Sequence, residues 1–367
     1  MSRAFNACLA SLGVLFVFVV SSHADWPIFR GNALQTGVTQ EKLPDKLEIR
    51  WKLAFKQGFD GAAAIVGGTA YAGSFDEHLY ALDLGTGQEK WKYKGGPFKA
   101  PPSVHDGAVF IGDEDGTFHC VDAKTGVKRW TFETGGEIVG GANFAGDKVI
   151  FGSHDSTLYF LRAKDGEPLW KFKTEGPVNG SAVVAGNLTF VAGCDSNLHV
   201  IDIKTGKALN KVDLEGQAGA TAAFDKNRLY VGTMANQVQG VDVTKTALVW
   251  TFEPEDAQAF YASAAVTDNL VIVGSRDKRV RALDRDKGVE KWAFVAKGRV
   301  DSSPVVAGNR VYVGSSDGHL YVLDLDKGTA VQALKLGRGV TASPAVSDGC
   351  LVIGTTDGNL YCLGQKK

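Results

Sequence analysis

This 367-residue chain has few of the residues from which metal centres, redox sites or membrane spans are built. Its five cysteines include no adjacent pair and no C-x-x-C or C-x-x-C-H spacing, which removes zinc ribbons, thioredoxin-like chemistry and covalent haem attachment. No H-E-x-x-H is present, and no cluster has metal-ligand spacing. Asp113-Glu114-Asp115-Gly116 opens like a calcium loop but lacks the EF-hand spacing and its terminal Glu, and reads as a hairpin turn. Charge of either sign is not in excess. Lys and Arg total 40 against 41 Asp and Glu, a formal net charge of −1, so no basic field addresses nucleic acid. Beyond residue 24 no apolar run approaches the roughly 20 residues of a membrane-spanning helix.

What is present begins with a leader. Arg3 supplies a positive start, Leu9 to Val20 is mostly apolar, and Ser22-His23-Ala24 offers small residues for cleavage before Asp25. Cys8 precedes the apolar run, whereas a lipid-anchored cysteine would follow it. The expectation is an exported chain, periplasmic or extracellular, with no transmembrane segment once residues 1–24 are removed. Of the four remaining cysteines, Cys350 and Cys362 fall on neighbouring strands of one unit. An oxidising compartment permits a disulfide there, and two buried thiols is the other reading.

The chain then repeats itself. Val311 to Leu325, VYVGSSDGHLYVLDL, is two short strands joined by a polar turn, closed by Asp324. The same unit is anchored at Asp83, Asp122, Arg162, Asp202, Asp242, Asp284 and Gly364, at intervals of 39 to 42 residues. Each unit carries a small-residue strand before this pair. After it come a turn, glycine-containing except in the copy anchored at Asp242, and a fourth strand bearing Trp91, Trp130, Trp170, Trp250 or Trp292, with Asn210 and Gln332 in two copies. Four antiparallel strands in about 40 residues is the pattern of a propeller blade. The eighth copy stops after its third strand, and the orphan strand Leu47 to Phe55, with Trp51, supplies the missing one. The expected fold is all-β: an eight-bladed propeller over residues 47–367, preceded by an irregular arm, 25–46, packed on one face.

In such a ring the first strands line the axis. The residues just before them, Asp60, Lys99, Val139, Asn179, Gly219, Tyr261, Asp301 and Thr341, are therefore expected to circle one mouth. The polar members are candidates for a small anion, a sugar or a peptide end. The plainer reading is a set of solvated groups around a water-filled channel.

The pattern A-x-D-x-x-T-G-x-x-x-W at Ala81 to Trp91 resembles the tryptophan-docking motif of the pyrroloquinoline-quinone (PQQ) repeat family, and the resemblance covers residues 47 to 364. WPIFRGN at Trp26 to Asn32 is similar to the lead-in of exported members. Quinoprotein dehydrogenases of this family hold PQQ and calcium on an eight-bladed ring, with a clamp that uses a vicinal disulfide and long insertions that roof the site. BamB-type members are non-catalytic scaffolds. This chain has no Cys-Cys pair, and its copies differ in length by at most three residues. The resemblance therefore implies a non-enzymatic, monomeric scaffold for a protein partner in the cell envelope, with no cofactor. PQQ with calcium, or another small ligand, is the alternative.

Overall fold

The computed structural model describes residues 25–366, so the leader expectation falls outside the described residues. Among these residues there is no helix, and strands group into eight sheets. The first blade is Ala64–Val66, Thr69–Gly73, His78–Asp83 and Glu89–Lys94, each antiparallel to the last. Burial follows position in the blade. Thr69–Gly73 is buried throughout, because neighbouring blades cover both of its faces. Glu89–Lys94 alternates, with Trp91 buried between exposed lysines. The eighth blade consists of Ala345–Ser347, Cys350–Gly354, Asn359–Gly364 and, on its outer edge, Glu48–Ala54 from the other end of the chain. The largest apolar cluster straddles this seam, joining Trp51 and Leu363 to Leu84 and Leu320 of the flanking blades.

One device joins blade to blade. In every outer strand the register slips by one residue, so that Lys90, Arg129, Leu169, Leu209, Val249, Lys291, Val331 and Arg50 bulge. A bulge re-aims the residue after it, and that residue is the tryptophan or its substitute. The indole N–H then donates to a carbonyl of the next blade: Trp91 to Ala123 at 3.0 Å, Trp130 to Ala163 at 3.1 Å, Trp170 to Ile203 at 2.9 Å. Trp250 reaches Arg285 at 3.0 Å and Trp292 reaches Leu325 at 2.9 Å. Trp51 closes the ring by donating to Leu84 of the first blade at 2.9 Å.

The indole lies on the turn glycine of that next blade, which has no room for a side chain. A Cβ on Gly126 would stand 2.8 Å from Trp91. Where the indole is missing, the glycine is missing too. Asn210 faces Thr246, which holds φ +53° in the glycine position, and bonds its hydroxyl at 2.9 Å. Gln332 meets no turn glycine, and its amide instead brackets the backbone of Leu47, at 3.0 and 2.8 Å.

The arm departs from expectation. It does not lie on one face but runs inside the ring, along the axial edges of the inner strands. Those strands are two or three residues long, and their outward N–H groups need partners. Trp26 accepts from Ile65, Pro27 from Val104, Ala33 from Val184, Leu34 from Phe224, Thr36 from Val266 and Gly37 from Val306, all at 2.7–3.0 Å. Val38–Thr39 then pairs in parallel with Val305–Ala307, and Glu41 accepts from Gly349 in the last blade. Trp26, Ile28, Arg30 and Gln35 are all buried. Arg30 donates to the carbonyls of Ala264 and Pro304, and burial lowers its guanidinium to a pKa of about 9. The channel is therefore plugged from one side.

The blade turns have a pH signature. The Asp83 carboxylate accepts from Thr86 and from the N–H groups of Gly85 and Thr86, and is held below its usual range. Asp122 is lowered first by Arg129, Asp202 by Thr205, Asp242 by Thr244 and Asp284 by Lys291. Their folded pKa values lie below the unfolded value of about 3.9, so this stabilisation is complete above that pH and disappears as pH falls through the folded values. Tm is expected to stay level between neutrality and about pH 5, then fall below about pH 4. Asp83→Asn with Asp122→Asn should flatten that acid limb in a thermal-melt series.

Candidate functional site

At the open end of the ring is a cavity of about 480 Å³ with Phe29 of the arm among its lining residues. All eight residues expected at the mouth line it: Asp60, Lys99, Val139, Asn179, Gly219, Tyr261, Asp301 and Thr341, each half-buried. Two residues deeper runs a second ring, which is Ala62, Pro101 and Gly141 on the first three blades and a hydroxyl on each of the other five. The hydroxyls link those blades. The N–H of Ser181 donates to Thr221 Oγ1 at 2.8 Å and that of Thr221 to Ser263 Oγ at 3.0 Å. Ser263 and Ser303 continue the series to Ser303 and Ser343, at 2.9 Å each.

The mouth residues do not act as one set. Asp301 is held by Arg276 through two bonds, at 2.9 and 3.2 Å, and the guanidinium also lies 3.9 Å from the centre of the Tyr261 ring. Asn179 gives its amide to Cys194 Sγ at 2.8 Å. Asp60 and Asp301 belong to blades one and seven, with the eighth between them. Thr341 Oγ1 and Ser181 Oγ are buried without a hydrogen-bond partner, and so is His154 Nε2.

Sequence reasoning missed Arg276, His154 and Met234. They sit at hairpin tips between second and third strands, each eight residues before its blade's anchor position. That shared offset was the available signal. Glu114 has the same offset, and burial raises its carboxyl despite the nearby Lys99.

In blade two the structural hairpin carboxylate is Asp113, which binds Thr117 N, Gly96 N and His119, while Asp115 is exposed. Of the two readings of Cys350 and Cys362, the structure holds buried thiols rather than a disulfide. The register sets Cys362 opposite Val352 and Cys350 opposite Gly364, so the pair stands on a diagonal. The hydrogen bond with Cys362, and then the charge of Arg50, hold the Cys350 thiol below its usual range against the cost of burial. Gly314-Ser315-Ser316-Asp317-Gly318 spells a nucleophile-elbow pattern, but it is a turn between two strands with no helix after it.

A family described as outer membrane protein assembly factor BamB matches residues 45–171 and 129–210, spanning the first blades. The repeats are of the PQQ type. Among solved structures, BamB from Moraxella catarrhalis superposes with TM-score 0.76 at 21% identity, over 88% of this chain and 98% of that one. A europium-containing methanol dehydrogenase gives 0.78 at 14%, over 93% and 98%. The quinohemoprotein alcohol dehydrogenase of Comamonas testosteroni gives 0.80 at 14%, over 94% and 81%. No curated protein matches the chain. At these identities the likeness establishes the PQQ-type propeller fold and does not separate scaffold from enzyme.

The Arg276–Asp301 pair gives a local prediction. Arg276→Met and Asp301→Asn, singly and together, should show a coupling of about 1 kcal/mol in denaturant unfolding, since both groups are partly solvent-screened. The coupling should shrink as salt is raised.

Proposed function

We propose that this chain is a non-enzymatic PQQ-type propeller that acts as a protein-binding scaffold in the cell envelope, similar to the outer membrane protein assembly factor whose family it matches. One observation carries the reading: three polar groups of the mouth, Asp301, Tyr261 and Asn179, are already engaged by neighbouring side chains. Asp301 is neutralised by Arg276, Tyr261 is covered on one face by the same guanidinium, and Asn179 bonds Cys194. A general base for alcohol oxidation needs a carboxylate free to take a proton, and Asp301 is not free.

The residues present also do not fit a calcium-held quinone. Calcium takes six to eight converging oxygens. Here the two mouth carboxylates are separated by a blade, and among the described residues no three His, Cys, Asp or Glu side chains are grouped to hold a metal. Nor do the connections between blades carry the long insertions that would roof such a site. A rigid ring with short surface hairpins suits the presentation of variable tips to a partner.

The test is a calorimetric titration of residues 25–367 with PQQ, with and without Ca²⁺, beside photo-crosslinking in the envelope from probes at hairpin tips on both faces. The expected result is no PQQ heat, and one crosslinked envelope protein captured from one face only. Tight, calcium-dependent, one-to-one PQQ binding would overturn the scaffold reading.

A further inference from the structure

We infer that the axial cavity binds a neutral polyhydroxylated small molecule, a saccharide of one or two rings. The inference is independent of the scaffold reading and rests on the cavity alone. Its size, about 480 Å³, lies within the range of small-molecule sites.

The first argument is hydrogen-bond accounting. In the hydroxyl row, backbone N–H groups occupy an acceptor position on Thr221, Ser263, Ser303 and Ser343. Among the described residues none of these four hydroxyls donates to a protein acceptor, so their O–H groups are left for a ligand. The row starts at Ser181, because blade three has Gly141 in the preceding position. Ser181 is only 4% exposed, and its Oγ has no hydrogen-bond partner among the described residues. Thr341 Oγ1 and His154 Nε2 are unpartnered around the same cavity. A buried polar atom without a partner is destabilising, a cost that a bound ligand's polar groups would remove.

The second argument is charge. The cavity is lined by Lys99 and Arg276 against Asp60 and Asp301, which cancel. A carboxylate or phosphate ligand would face Asp60, and a cation would face Lys99. A neutral molecule offering both donors and acceptors meets neither objection. Phe29, on the arm, adds an apolar surface for the C–H face of a sugar ring. Donors, acceptors, an aromatic platform and no net charge together describe a saccharide.

The experiment uses the mature chain with maltose, cellobiose and N,N′-diacetylchitobiose as probes, and citrate and spermidine as charged controls. Saturation-transfer NMR and calorimetry supply the readouts. At least one of the three sugars should bind with Kd of about 1 mM or tighter, and neither charged control should bind. Asp60→Asn and Ser181→Ala should each weaken that binding roughly tenfold, with melting curves showing that both variants remain folded. The inference is overturned if none of the three sugars binds at about 20 mM. Preferential binding of citrate or spermidine would also overturn it, as would sugar affinity unchanged in both variants. Any of these results leaves the scaffold reading untouched.

Discussion

In a closed ring of blades, every sheet turns one edge toward the axis, and the N–H groups on that edge have nowhere to go unless something is placed there. The rest of this structure depends on how the chain meets that requirement. Its N-terminal arm supplies backbone carbonyls to the inner strands of blades one, two, four, five, six and seven, accepts the Asn143 side chain of blade three at Ala33, pairs in parallel with the seventh blade and gives a carboxylate to the eighth. The arm is thus a continuous lining for the ring. It also decides what the axis can do, because it turns a channel into a cavity open at one end. The same segment continues into Glu48–Ala54, which completes the last blade, so the axis and the seam are closed by neighbouring stretches of chain.

Around the outside, a second constraint is repeated. A one-residue bulge aims an indole at the next blade, and a glycine in that blade's turn makes room for it. The pair at Asn210 and Thr246 shows that the two positions are one device, since both change together and a side-chain hydrogen bond replaces the packing. Rigidity from this source does not involve the hairpin tips, so tip residues such as Arg276, His154 and Met234 are free to differ from blade to blade. The mouth owes its individuality to them.

The blades, their number and the strand that closes them were legible because a period near 40 residues, with glycine, Asp and Trp at fixed offsets, is a strong signal. The eight mouth positions were legible for the same reason. What could not be read was anything that depends on partners outside the period. The arm bonds through backbone carbonyls, which leave no mark in side-chain chemistry, and so its course inside the ring was unforeseen. The engagement of Asp301 required knowing that a hairpin tip of one blade leans over the first strand of the next. The Cys350–Cys362 relation turned on register, where a shift of two residues along one strand separates facing from diagonal.

The central claim is that the arm and the inner edges form one cooperative unit lining the ring. Native-state hydrogen exchange on residues 25–367 in low denaturant tests it most directly. The account predicts that the amides of Ile65, Val104, Val184, Phe224, Val266 and Val306 open together with those of Gln35 and Gly37 in the arm, at one shared free energy. If each inner-edge amide instead exchanges with the other strands of its own blade, at a different free energy from the arm, the lining is not a unit and the account is contradicted.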